Sequence, residues 1–89
     1  HFLMYIIFFE RHFITSAKKL ERKVKEELDR NLQILEDDPT DQSLHLKPLH
    51  GSLSGFYSFR VKNYRVIIEF LADKKIRILE IDRRDKIYK

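Results

Sequence analysis

The 89-residue chain contains no cysteine, and this absence excludes several kinds of chemistry. Without thiols a protein forms no disulfide, no zinc–thiolate site and no cysteine nucleophile. The chain also lacks any apolar run near the roughly 20 residues that span a bilayer. The stretch Phe2–Phe9 is too short, and it has neither a basic leader nor a small-residue cleavage site. We therefore expect an intracellular, cytoplasmic protein without a membrane partner.

The composition predicts one domain. Hydrophobic residues make up 43% of the chain and charged residues 36%, and a chain of this length supports a single modest core. The sequence begins with His1, and Met4 follows three residues later. We therefore expect the natural domain to extend over residues 4–89 and residues 1–3 to be a remnant of cloning.

The positive charge is concentrated in the second part of the chain. Residues 56–89 contain ten basic and five acidic residues, whereas residues 1–55 contain eight basic and nine acidic ones. The formal charge is therefore +5 in the second part and −1 in the first, which together give the +4 of the chain. Such a concentration indicates a polyanionic partner.

The first part of the chain predicts one strand followed by helix. Met4–Phe9 is apolar without clear alternation, which is typical of a strand buried on both faces. Helical spacing of apolar residues then runs from Arg11 to Asp37, and the pattern alone permits one long helix. Pro39 prevents its continuation. The apolar positions are Phe13, Ala17, Leu20, Val24, Leu28 and Leu35; the charged positions that we interpret as a solvated face include Lys18, Lys19, Lys23 and Glu26.

The second part predicts strands separated by turns. The expected strands are Leu46–Leu49, Phe56–Val61, Tyr64–Phe70 and Lys75–Ile81, with a turn at Ala72-Asp73-Lys74. The element order β-α-α-β-β-β-β predicts an α+β fold in which helices pack on one side of a mainly antiparallel sheet.

Strict alternation assigns the faces of these strands. In the last strand, Ile76 and Ile78 share one face, while Arg77, Leu79 and Ile81 share the other. The stripe of the hairpin expected to pack on the helices consists of Tyr57, Phe59, Val61, Tyr64, Val66, Ile68 and Phe70.

Two arginines are expected on the opposite face of the hairpin. If Lys62-Asn63 form a two-residue turn, Val61 opposes Tyr64 and Arg60 opposes Arg65. Like charges directly opposed are destabilising, so a chain that accepts this cost is suited to hold an anion such as a phosphate. The alternative is that both arginines are solvated and screened.

No metal site or cofactor is expected. His45 and His50 are separated by Pro48, so they do not share a helical face, and no nearby carboxylate completes a ligand set.

The run LKPLHGSLSGFYSFRV, from Leu46 to Val61, resembles the central signature of the RelE/ParE superfamily of bacterial toxins. The continuation Asn63–Ile67 and the ending Ile81–Tyr88 resemble it as well, so that the resemblance covers nearly all of residues 4–89. It implies two helices packed as a hairpin that breaks near Leu20, on a curved antiparallel sheet.

The resemblance implies a type II toxin, with two possible activities. RelE-like members are ribosome-dependent endoribonucleases that cut mRNA, and ParE-like members poison DNA gyrase without catalysis. Both are neutralised by an antitoxin whose acidic, partly disordered segment wraps the toxin, which implies a hetero-oligomer. We favour the RelE-like activity, with mRNA on the ribosome as substrate and metal-independent 2′-hydroxyl attack. A third possibility is a degenerate member kept for complex formation or autorepression.

The resemblance also implies roles for individual residues. Arg60, Arg65 and Arg84 match positions that bind phosphate and stabilise developing charge. Tyr88 matches a terminal tyrosine that stacks on a base or assists proton transfer. The further RNA contacts expected are Lys47, Ser58, Lys62, Arg83 and Lys86.

Three departures from the family pattern leave the general base unassigned. Ser58 stands where RelE has a lysine, Arg83 stands where many relatives have histidine, and Lys47 stands at a position that is acidic in the YoeB branch. An arginine remains protonated and is a poor base. His50 is a possible substitute, although we favour an ordinary loop histidine. The changes at Ser58 and Arg83 favour the ParE-like activity, and the retained Arg65, Arg84 and Tyr88 favour the RelE-like one.

Overall fold

The fold was analysed in a computed structural model, which describes residues 4–87. The expected remnant at residues 1–3 and the expected site residue Tyr88 lie outside this range. The elements are β1 (Ile6–Phe9), α1 (Arg11–Lys18), α2 (Arg22–Asp37), β2 (Lys47–Pro48), β3 (Tyr57–Val61), β4 (Tyr64–Leu71) and β5 (Lys75–Arg83). Short 3₁₀ turns at Gln42–Leu44 and Gly51–Leu53 flank β2.

The strands form one five-stranded sheet in the order β1-β5-β4-β3-β2. β1 is parallel to β5, and the other neighbours are antiparallel. Helix α1 packs against β5 and helix α2 against β3, on the same face of the sheet. The predicted α+β fold, with a helical hairpin on a mainly antiparallel sheet, is therefore confirmed.

The two helices are separated at residues 19–21. The backbone N–H groups of Lys19 and Leu20 donate to the carbonyls of Ser16 and Ala17, three residues earlier, which tightens the last turn of α1. Glu21 is then extended, with ψ at 155°, before α2 begins. The break implied near Leu20 is therefore confirmed.

The predicted hairpin stripe forms the sheet side of the core. Phe59, Val61, Val66 and Ile68 are fully buried. The remaining members of the stripe, Tyr57, Tyr64 and Phe70, are partly buried against the same cluster. Helix residues Phe13, Val24, Leu28 and Leu35 complete it from the other side.

A bulge in β5 changes the predicted faces of that strand. Ile67 pairs with Glu80, but the next residue, Ile68, pairs with Ile78. Leu79 is therefore an extra residue, and alternation reverses beyond it. Ile81 consequently opposes the core residue Val66 and is 4% exposed. The prediction that Ile81 shares a face with Arg77 and Leu79 is wrong.

β1 is an edge strand and is not buried on both faces. Its single sheet neighbour among the described residues is β5. Ile7 packs against the core from the helix side. Met4, Ile6 and Phe8 lie largely exposed. The prediction of burial on both faces is wrong because the helices cover one face of β1 and leave Ile6 and Phe8 exposed on the other, and an apolar run does not reveal which faces are covered.

The bulge predicts that truncation of Ile81 and truncation of Leu79 lower the free energy of unfolding by different amounts. Ile81→Ala removes a buried side chain and should lower the free energy of unfolding by about 2–5 kcal/mol. Leu79→Ala truncates a partly exposed side chain and should cost clearly less. Urea denaturation of both variants measures the difference. A larger loss for Leu79→Ala would mean that alternation continues without a bulge.

Candidate functional site

The expected two-residue turn between β3 and β4 is present. Val61 opposes Tyr64 and Arg60 opposes Arg65, as the sequence predicted. Lys62 begins the turn in the left-handed region, with φ at 52°. A positive φ at this position is required by the tight turns that match the twist of a hairpin. The turn therefore fixes which residues of β3 and β4 are neighbours.

The end of β5 brings the C-terminal arginines to this turn. Tyr64 pairs with Arg83, and the backbone N–H of Arg84 donates to the carbonyl of Asn63 at 2.9 Å. A further turn follows, in which the N–H of Ile87 donates to the carbonyl of Arg83. Because Ile87 is buried, this segment is held in place beside the hairpin.

An open groove of about 900 Å³ lies at this end of the molecule. Six basic side chains and two acidic ones line it, a formal excess of four positive charges. This equals the net charge of the whole chain. The basic residues are Lys23, Lys47, Lys62, Arg65, Arg83 and Arg84, and the acidic ones are Glu21 and Asp85. Such a groove attracts a polyanion.

Arg65 is the buried member of this groove, at 5% exposure. Its guanidinium donates to the hydroxyl of Ser58, at 2.8 Å from Nη2, and to the carbonyl of His45, at 2.9 Å. It thereby attaches the segment before β2 to the hairpin. The alternative that both arginines are solvated and screened does not hold for Arg65, because the 3₁₀ turn before β2 packs over this part of the sheet.

The other predicted site residues occupy different positions. Arg60 is exposed, and its Nε donates to the carbonyl of Lys62 at 3.2 Å, so its side chain lies along the turn. It does not line the groove. Ser58 is fully buried beneath Arg65. Lys86 is exposed outside the groove.

Six residues of the groove were missed as site residues from the sequence, one of them the core residue Val24. Lys23 had been interpreted as part of a solvated helix face, and Glu21 stands in the break between the helices. Both reach the site because α2 begins next to the hairpin, and no local pattern signals that approach. The other missed residues, Asn63, Tyr64 and Asp85, adjoin predicted ones.

The described part of the chain shows no other chemical centre of the kinds considered. Among residues 4–87, no group of three or more histidine, aspartate or glutamate side chains is arranged to hold a metal ion. None of the helices in that range has the length and apolar content that crossing a membrane requires. His50 is exposed and does not line the groove.

Solved structures identify the class of fold. A chain of the archaeal RelE–RelB complex from Pyrococcus horikoshii OT3 is similar to this one with a TM-score of 0.78 and 24% identity, over 92% of this chain and 97% of that chain. A chain of the RelBE2 toxin–antitoxin complex from Mycobacterium tuberculosis gives 0.77 and 23%, over 91% and 99%. A chain of the E. coli DinJ–YafQ complex gives 0.75 and 18%, over 96% and 98%.

The sequence identifies the family. Residues 7–88 match the family model described as the ParE toxin of the type II toxin–antitoxin system parDE. The chain therefore belongs to this family of type II toxins, and the predicted membership of the RelE/ParE superfamily is confirmed. A search of curated protein sequences found no significant match.

The geometry predicts that truncation of the two opposed arginines lowers the free energy of unfolding by very different amounts. Arg65→Ala leaves the buried groups around it without their donor, which typically costs about 1–3 kcal/mol for each unsatisfied group. Arg60→Ala removes an exposed side chain and should change the free energy of unfolding by no more than about 0.5 kcal/mol. Denaturant unfolding of both variants provides the comparison. Equal stability of the two would contradict the structural role of Arg65.

Proposed function

We propose that this toxin is a ribosome-dependent endoribonuclease that cleaves mRNA without a metal ion. The observation that carries the proposal is the basic groove at the end of the hairpin, where six basic side chains come together. RNA carries one negative charge per phosphate, and lysine and arginine are the residues that bind it. The resemblance and the fold of the RelE and YafQ structures support the same reading.

The proposed reaction is attack of an RNA 2′-hydroxyl on the adjacent phosphorus. The P–O bond to the 5′ oxygen of the next nucleotide breaks, which leaves a 2′,3′-cyclic phosphate and a 5′-hydroxyl. Negative charge grows on the phosphate oxygens in the transition state, and fixed cations there accelerate the step. No redox or metal chemistry is required.

The residues of the site divide this work. We assign Arg84 and Lys62 to the phosphate, since both are exposed in the groove beside the turn. Arg65 lines the groove from below and, bound to Ser58, contributes fixed positive charge and orientation. Arg60 and Lys86, exposed outside the groove, would contact flanking phosphates.

Proton transfer requires two further groups. The carboxylates in the groove are Glu21 and Asp85, and a carboxylate can accept the 2′-hydroxyl proton. Tyr88, which follows Ile87 in the sequence, remains the residue that we propose to stack on a nucleobase of the RNA or to assist proton transfer.

The proposal includes an antitoxin partner and action in the cytoplasm, where translated mRNA is found. Similar structures are toxin–antitoxin complexes. An acidic segment would complement the groove. The exposed apolar side chains of Met4, which precedes β1, and of Ile6 and Phe8 in β1 are the kind of surface that a protein partner covers.

A second candidate function is inhibition of DNA gyrase without catalysis. The matching family model is that of a ParE toxin. In addition, the serine at position 58 is fully buried, so it cannot replace the lysine that RelE has there.

Loss of one cation from the groove should reduce catalysis strongly. Arg84→Ala should lower the single-turnover rate of mRNA cleavage on purified translating ribosomes by about 10²–10³, the usual effect of removing a donor to transition-state charge. Arg30→Ala removes an exposed arginine of α2 outside the groove and serves as the control. Equal rates for Arg84→Ala and the control would remove Arg84 from the site.

The two candidate functions predict different damage in cells. After brief induction, primer extension on cellular mRNAs should show cuts within translated reading frames, while chromosomal DNA stays intact. Gyrase-dependent DNA breaks with intact messages would establish the alternative function in place of the nuclease.

A further inference from the structure

Asn31 is a polar residue in the buried stripe of α2. The other buried residues of that helix are Val24, Leu28 and Leu35, and Asn31 lies between them with 5% exposure. An amide buried without a hydrogen-bond partner is destabilising. Its presence in this stripe therefore requires a partner that an apolar residue would not need.

That partner is the backbone of the hairpin. The Nδ2 group of Asn31 donates to the carbonyl of Arg60 at 2.8 Å. Val61 and Tyr64 flank a two-residue turn and form a hydrogen-bonded pair, so the next pair, Arg60 and Arg65, directs its backbone groups away from the partner strand. On that outer side β2 pairs with Ser58 and Tyr57 and does not extend to Arg60.

We propose that Asn31 is a positioning residue for the basic groove, an inference that rests on the proposed function. It attaches the end of the hairpin to α2 at the point where β2 no longer supports it. Two further bonds continue from this point. Arg60 Nε donates to the carbonyl of Lys62, and the N–H of Arg84 donates to the carbonyl of Asn63. The side-chain amide of Asn31 thus holds the turn in place. That turn carries Lys62, and the carbonyl of its Asn63 binds the backbone of Arg84.

Amide hydrogen exchange on the free protein tests the tether without any assay of activity. Asn31→Leu keeps the stripe apolar and removes the donor. The amides of Tyr64 and Arg84 should then exchange about tenfold faster, as expected from the loss of one hydrogen bond. The amides of Ile6 and Glu10, which donate to the carbonyls of Lys74 and Ile78 at the far edge of the sheet, should keep their relative protection from exchange.

A control variant separates positioning from general stability. Ile76→Val shortens a fully buried side chain of β5 that pairs with Phe70, at the opposite end of the sheet from the turn. This variant should lower the protection of all amides from exchange by a similar factor, without a larger effect in the hairpin. If Asn31→Leu folds poorly, Asn31→Ala removes the same donor without added bulk and should show the same selective loss.

Cleavage on ribosomes provides the functional readout. Asn31→Leu should lower the single-turnover rate by about tenfold to a hundredfold, since small displacements of positioned groups have effects of this size. Ile76→Val should retain the wild-type rate once corrected for the folded fraction. Unchanged hairpin exchange in both Asn31 variants would overturn the tether. Faster exchange with an unchanged cleavage rate would overturn its role in catalysis. A wild-type protein that cleaves no mRNA would instead refute the proposed function, and the exchange result would stand separately.

Discussion

The structure of the site depends on the two-residue turn at Lys62-Asn63. This turn sets the register of β3 against β4, which places Arg65 beside Ser58. The register of β4 against β5 pairs Tyr64 of the same hairpin with Arg83. The carbonyl of Asn63 then receives the N–H of Arg84. A shift of β4 by one residue against β3 would move every side chain of β4 to the other face of the sheet. The core stripe and the basic groove therefore rest on the same register.

The positive charges of a basic groove repel one another and destabilise the fold, and the contacts of Arg65 show how the structure offsets part of this effect. Like charges close together repel, and a guanidinium taken out of water needs several acceptors. The hydroxyl of Ser58 and the carbonyl of His45 supply two of them. Ser58, which stands where the resemblance predicts a lysine, therefore has a structural role in this chain, because its hydroxyl accepts a hydrogen bond from Arg65. A polyanion in the groove would offset the remaining repulsion.

Local pattern in the sequence was sufficient for the turn, the hairpin faces and the order of the strands, because turn residues and alternation act over short distances. The break between the two helices came from the family resemblance and not from the pattern. It was insufficient where distant segments decide the outcome. The bulge at Leu79 arises from pairing with β4, and it moved Ile81 into the core. The exposure of Ile6 and Phe8 in β1 arises because the helices pack on the other face of that strand. Lys23 lines the groove because of how α2 packs on the sheet. Arg65 is buried because the turn before β2 packs over it.

In the proposed function, the groove directs the 2′-hydroxyl of RNA against its neighbouring phosphate. The chemical identity of the ends produced on translated mRNA tests this most directly. Purified toxin added to translating ribosomes should produce fragments that end in a 2′,3′-cyclic phosphate, or the 3′-phosphate formed from it, with a 5′-hydroxyl on the downstream fragment. Fragments with 5′-phosphate and 3′-hydroxyl ends would contradict this reaction, because they form when water attacks the phosphorus and the P–O bond to the 3′ oxygen breaks.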